Sequence, residues 1–230
     1  MSEQVRQMFG SIAEKYDLIN TVLSFGIHHR WRKKAVKLSG AKPGHHVLDC
    51  ATGTGDFAIT FKKKVGPQGH VIGTDFSDAM IAPAPGKARK KGLDIQFEVA
   101  DAMDLPFEED RFDIASIAFG IRNVDDPVVC LREMARVVKP GGKVIVLEFG
   151  QAYGIMKVPF TLYSKYVMPT VGGWLSGNKH AYEYLPETSA KFPAGEKFLA
   201  LMQESGGYST QSYHTLQSGV AYIYVGTVAG

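Results

Sequence analysis

Between residues 46 and 149 the chain alternates short apolar, β-branched runs with stretches whose apolar residues recur at helical spacing. The runs at 46–50, 71–75, 95–99, 113–119 and 143–149 read as strands, and the stretches at 56–64 and 127–138, and one ending near Lys91, read as helices. Strands and helices alternating in this way predict βαβ units, a parallel sheet and right-handed crossovers. The strands are near-continuous Val/Ile/Leu runs, as expected of a sheet with helices on both faces. Pro83 and Pro85-Gly86 fall inside the second helical stretch, where a proline costs about 3 kcal/mol, so that helix either starts after Gly86 or is broken there.

The flanks differ from this rhythm. The first 40 residues are helical and polar-aromatic, with Trp31 and the trio Arg32-Lys33-Lys34 near their end. Residues 151–190 are apolar and aromatic with few charges, and read as an insertion with helical patches. A last helix over 195–205 precedes two alternating runs, 208–216 and 220–228, which predict an antiparallel hairpin at the sheet edge. The expected organisation is one α/β domain: a helical lid (1–42), a ligand-binding core (45–150), the apolar insertion (151–190), and a C-terminal helix with hairpin (191–230).

Composition removes several classes. Hydrophobic residues make up 45% and charged residues 21% of the 230, ordinary for a globular chain and far from disorder. A net charge of +3 is too small to argue for nucleic acid. Cys50 and Cys130 match no zinc spacing and make no disulfide framework, no cluster of metal ligands is evident, and a reducing cytoplasm is the expected setting. No apolar run approaches the roughly 18 residues that span a bilayer.

Gly53-Thr54-Gly55, between the first strand and its helix, is a glycine turn of the kind that admits an adenosine-containing ligand. Asp75 follows Gly55 by 20 residues, at the end of the next strand, where a carboxylate can accept from ribose hydroxyls. Asp49 ends the first strand and Asp101, with Ala102, follows the third, suited to the adenine amine. A dinucleotide would place a diphosphate against these acids. S-adenosylmethionine carries an ammonium and a sulfonium instead. At an effective dielectric constant near 20, a unit pair 4 Å apart is worth about 4 kcal/mol, and its sign reverses between the two ligands. Asp49, Gly53, Thr54, Gly55, Asp75, Asp101 and Ala102 are therefore the expected cofactor contacts of an S-adenosylmethionine-dependent methyltransferase, with a dinucleotide oxidoreductase as the competing reading.

The segment Tyr16-Asp17-Leu18-Ile19-Asn20, then Leu23-Ser24, His28 and Trp31, resembles the N-terminal signature of the quinone C-methyltransferases of ubiquinone and menaquinone biosynthesis. Residues 136–143 running to Leu147-Glu148-Phe149, and Phe119-Gly120-Ile121-Arg122-Asn123-Val124, are also similar to that family, and the likeness extends from about Phe9 to the C-terminus. Gly150 and Ala118 stand where family members can carry serine. The resemblance implies a Rossmann-like sheet of seven strands, mostly parallel with the last one antiparallel. It also implies methyl transfer from S-adenosylmethionine to a ring carbon of a reduced prenylated quinone. The expected acceptor is demethylmenaquinol, with 2-methoxy-6-polyprenyl-1,4-benzoquinol second; another small hydrophobic acceptor is the alternative. The partners that follow are the prenylated quinol, a peripheral contact with the inner face of the membrane and a second copy in a homodimer.

An aromatic carbon becomes nucleophilic when a neighbouring hydroxyl ionises, so a fixed positive charge near that oxygen is expected. Arg122 is the candidate; its competing role is an ion pair fastening its loop to Asp125 or Asp126. Candidate bases are His28, whose ordinary pKa suits the task, Asp17 and Tyr16, all on the lid, where Tyr16 and Trp31 can equally serve as packing. The stretch 155–168, carrying Lys157 and Lys165, lines a hydrophobic tunnel, lies on a membrane surface or packs as a lid.

Overall fold

Seven strands form one sheet in the order β3-β2-β1-β4-β5-β7-β6 in a computed structural model of the chain, which describes residues 3–13 and 15–230. They are β1 (His46–Cys50), β2 (His70–Asp75), β3 (Gln96–Val99), β4 (Phe112–Ala118), β5 (Val138–Phe149), β6 (Tyr208–Leu216) and β7 (Ala221–Val228). The first five are mutually parallel. β7 runs antiparallel to β5 and to β6, so the hairpin is inserted with its second strand inside the sheet and its first at the edge.

Side chains alternate between two cores, which is why the strands read as unbroken apolar runs. Val47, Val71, Ile114 and Ile145 face helices α3 (Ile27–Leu38) and α4 (Asp56–Val65), packing on Trp31, Ala35 and Phe61. Leu48, Ile72, Ala115 and Val144 face α7 (Pro127–Arg136) and α11 (Glu196–Ser205), packing on Leu131, Met134 and Phe198.

The prolines break the second helical stretch into α5 (Asp78–Ile81) and α6 (Ala84–Arg89). Pro83 caps α6 and Pro85 lies in its first turn, where the missing N–H has no intrahelical acceptor to lose. One boundary differs from expectation. α7 stops at Arg136, and Val138 already pairs with Phe112; residues 139–142 then leave the ladder, and pairing resumes at Lys143 with Ile114.

A third apolar cluster closes the top of the molecule. Helix α1 (Glu3–Gly10) contributes Met8 and Phe9, the turn after it Ile12, and α2 (Tyr16–Leu23) Ile19 and Leu23 to a cluster shared with α9 (Met168–Ser176) and α10 (Lys179–Lys191), which adds Tyr182. The insertion is more helical than its composition suggests: α8 (Lys157–Leu162) continues through a π-helical turn, Tyr163–Val167, into α9.

Candidate active site

The sheet order reverses between β1 and β4, whose carboxyl ends diverge to opposite sides and leave a crevice. Both lips carry non-glycine residues in the left-handed region, Ala51 (φ +46°) after β1 and Phe119 (φ +58°) after β4. Such backbone persists only where surrounding structure holds it, and it concentrates at functional sites. Gly55 (φ +84°) turns the chain into α4; a Cβ there would meet Ala84 and Phe97 at 3.0 Å.

Of the seven expected cofactor contacts, Asp49, Gly53, Thr54 and Asp75 line this crevice. Asp49 is fully buried, its two oxygens accepting from the hydroxyls of Thr52 (2.6 Å) and Ser116 (2.7 Å). Burial raises its pKa to about 6, so it is ionised at neutral pH. Asp75 accepts from the backbone N–H of Gly53 (2.8 Å) and of Ser77 (2.9 Å), and burial raises its pKa as well. Both acids thus fasten the glycine loop as well as facing the ligand space. Asp101 accepts from the N–H of Met103 (2.9 Å), closing its own turn, and Ala102 packs in the core. Asp49, Asp56 and Asp75 all line the crevice; Asp56 is paired with Arg32 and Lys87, whereas Asp49 and Asp75 have only neutral hydrogen-bond donors. Two carboxylates without a paired cation suit an ammonium and a sulfonium and oppose a pyrophosphate, so the residues present fit S-adenosylmethionine.

The lid is tied to this loop. Thr54 Oγ1 donates to Asp17 (2.5 Å), Lys87 on α6 bonds the same carboxylate, and Lys87 also pairs with Asp56 (2.5 Å), which Arg32 of α3 reaches at 3.0 Å. Asp17 thus ties α2 to the glycine loop, with both its oxygens engaged. Lys87, a member of this site that the expectations omit, lies beyond the two prolines, in the segment whose helix was least legible.

Beneath the lid lies a larger, mostly apolar cavity of about 590 Å³. Tyr16, His28 and Arg122 line it; Asp17 does not. The side chain of Arg122 is 3% exposed and pairs with Glu148 at 2.7 Å, while the same nitrogen donates to the carbonyl of Phe119 (2.7 Å). The competing role for Arg122 paired it with Asp125 or Asp126; its ion pair runs instead to Glu148 at the end of β5, and Asp126 caps α7 by accepting from Val128 and Val129. Burial raises the pKa of Glu148, opposed by Arg122.

His28 keeps its place at the cavity but not the titration expected of it. Burial, then the charge of Arg32, depresses its pKa to about 3, and its Nδ1 bonds Ser24 Oγ (2.5 Å). Burial raises the pKa of Tyr16, so its phenol is neutral. The fold also brings together a ligand-type triad that sequence spacing did not reveal, His28, His29 and Asp56, with donor atoms within 4.8 Å of one another. Arg32 and Lys87 already occupy the Asp56 carboxylate, so a metal ion would have to displace a paired cation there. At position 150 the absence of the family's serine has a steric reason: any Cβ would meet the Tyr222 ring at 2.3 Å.

The crevice and the cavity share Phe9, Tyr16, Arg32 and Phe119, so the two spaces adjoin. Solved structures carry the same frame. The chain superposes on a SAM-dependent methyltransferase from Thermotoga maritima, described as a possible histamine N-methyltransferase, with a TM-score of 0.67 and 22% identity, covering 96% of this chain and 98% of that one. A SAM-dependent methyltransferase from Aquifex aeolicus gives a TM-score of 0.63 at 19% identity, covering 86% and 89%. These likenesses establish the fold; the class, an S-adenosylmethionine-dependent methyltransferase, follows from the sequence relatives.

Sequence relatives narrow it. The chain belongs to the ubiE/COQ5 methyltransferase family, whose pattern matches residues 1–228. It is 58% identical to the "Ubiquinone/menaquinone biosynthesis C-methyltransferase UbiE" of Bdellovibrio bacteriovorus, over 98% of this chain and 96% of that one. It is 45% identical to the "Demethylmenaquinone methyltransferase" of Thermus thermophilus, over 95% and 99%.

Proposed function

We propose that the protein transfers a methyl group from S-adenosylmethionine to a ring carbon of a reduced prenylated quinone, demethylmenaquinol first and 2-methoxy-6-polyprenyl-1,4-benzoquinol second. The observation that carries this reading is the junction of an anionic crevice with a roomy apolar cavity at Tyr16, Arg32 and Phe119. The relatives' names, one for ubiquinone/menaquinone biosynthesis and one for demethylmenaquinone, support the reading.

Asp49, Gly53, Thr54 and Asp75 would hold the cofactor, which supplies an electrophilic methyl when bound. The chain's own contribution is position and field. Arg122, fixed by Glu148 and the Phe119 carbonyl, places a permanent cation on the cavity wall and favours the ionised quinol whose charge enters the ring. Tyr16 remains a hydrogen-bond donor, and the depressed pKa of His28 makes it a weak base. No strong base is then required: the cation lowers the acceptor's own pKa, and the apolar walls hold its carbon in line. Mass spectrometry of both quinols after incubation with methyl-labelled donor tests this. One added methyl in exchange for one ring hydrogen is expected, and no product from either quinol would overturn it.

A prenylated acceptor resides in a bilayer, and the elements around the cavity are suited to meet one. Phe25 (87% exposed), Ile155 (89%) and Trp174 (83%) project from the lid loop and the insertion, which also carries the exposed Lys157 and Lys165. This apolar surface with basic residues would rest on an anionic membrane surface. Among the described residues no helix is long and apolar enough to cross a membrane. Flotation with phosphatidylglycerol vesicles should carry the protein up, and replacing the three apolar residues by serine should abolish it; wild-type protein left at the bottom would exclude the contact.

A further inference from the structure

The four-residue connection between β6 and β7, residues 217–220, is unusual in its backbone and in what it holds. Gln217 (φ +40°) and Ser218 (φ +51°) are consecutive non-glycine residues in the left-handed region. The turn is held from outside: the N–H of Tyr153 donates to the Ser218 carbonyl (2.8 Å), and the N–H of Gly150 to that of Val220 (3.1 Å). A conformation so costly, and so firmly held, points to a role for the side chain it aims.

That side chain is an oriented amide. Trp31 donates its indole N–H to Gln217 Oε1. An indole nitrogen is only a donor, so the bond decides which end of the amide is oxygen and leaves the amino group free to donate. Among the described residues no other bond engages it, and Gln217 lines the large cavity.

Trp31 also ties this amide to the reaction centre. Its ring lies 6.3 Å from Phe149 and 6.4 Å from Phe119, whose rings are 4.5 Å apart. Arg122 sits 5.8 Å from the Phe149 centroid and bonds the Phe119 carbonyl. Three aromatic rings thus form one wall of the cavity, with a guanidinium at one border and an amide donor at another.

Resting on the quinol reading above, we infer that Gln217 hydrogen-bonds the acceptor's second oxygen, para to the one that ionises beside Arg122, and so selects rings carrying two oxygens. A quinol lying on the aromatic wall presents an oxygen at each end of one axis. Arg122 takes the end where charge develops, and the amino group of Gln217 takes the other. A ring with one oxygen forgoes that bond and the affinity it adds.

The test separates this role from support of Trp31. Gln217→Glu keeps an oxygen for the indole N–H but has no amino donor; Gln217→Met has neither. Both should raise KM for demethylmenaquinol about tenfold, the loss of one good hydrogen bond. S-adenosylhomocysteine affinity should stay within twofold. With a prenylated 1-naphthol, which lacks the second oxygen, wild type and Gln217→Met should show equal KM. Full activity in Gln217→Glu beside a defective Gln217→Met would show that the residue only supports Trp31 and overturn the inference, as would an unchanged KM in both. Wild-type protein that methylates neither quinol would instead remove the reading on which this rests.

Discussion

The glycine-loop crevice and the cavity under the lid adjoin each other but are built on opposite principles. In the crevice the polar groups are engaged by the chain itself: both oxygens of Asp49 and of Asp75 accept hydrogen bonds from the loop, its neighbours or β4. In the cavity some polar atoms are left open. The Tyr182 hydroxyl and the Nε atom of Arg122 are buried without partners, and the walls are short helices with exposed apolar residues. A ligand of constant shape rewards a preorganised site. A long, flexible apolar acceptor rewards space, with a few donors kept for its head.

Breaking the Arg122–Glu148 pair should have the largest effect. Arg122→Ala leaves a carboxylate buried and alone, which costs about 3–5 kcal/mol in thermal unfolding. Adding Glu148→Gln should recover most of that stability while turnover of labelled methyl stays at least about a hundredfold down. Recovery of turnover in the double variant would assign the pair to the fold alone.

Gly55→Val attacks only the crevice. A side chain at φ +84°, pressed on Ala84 and Phe97, should weaken S-adenosylhomocysteine binding about a hundredfold by calorimetry, roughly 2.7 kcal/mol. Binding of a quinone analogue to the apolar cavity should be unchanged. If both fall together, the two sites are one cooperative unit and the contrast drawn above is wrong.

The latch between them should matter less for stability than for exchange. Asp17 and Lys87 are partly exposed, so Asp17→Asn should cost under about 1 kcal/mol. It should, however, speed S-adenosylhomocysteine release about tenfold in stopped-flow measurements, and an unaltered rate would remove the latch.

The smallest effects are in pH, with opposite signs in the two regions. Asp49 has a raised pKa in the folded state, about 6, so its contribution to stability is full below about 4 and is lost as pH rises through 6. His28 is lowered to about 3, so its contribution is full above about 6.5 and is lost as pH falls toward 3. Between pH 4 and 6, Asp49→Asn and His28→Gln should tilt the stability curve in opposite directions, by about 1 kcal/mol per pH unit each. Shifts of the same sign would contradict the assigned environments.

The parts of the site that are contiguous along the chain were legible in its pattern. Asp49, Gly53 and Thr54 lie within six residues of one another, and Asp75 ends a strand that any parallel sheet places beside the first. The prolines at 83 and 85 announced the break between α5 and α6. Distant pairings were not legible. Arg122 has carboxylates at 125 and 126 close in sequence, yet parallel pairing of β4 with β5 delivers Glu148. His28 has an ordinary pKa until the lid buries it beside Arg32. Gln217 occupies a polar turn, and nothing in its neighbours indicates that Trp31, 186 positions earlier, will orient it.

The amino-acid sequence by itself determined the α/β alternation, the glycine turn and the acids at the strand ends, because hydrophobic period, turn chemistry and strand boundaries are local properties. Tertiary structure alone decided which charges are paired, which histidine stays neutral and where the acceptor's walls stand. Burial and Coulomb energy depend on what lies within a few ångströms in space, and the chain brings those neighbours from its far ends.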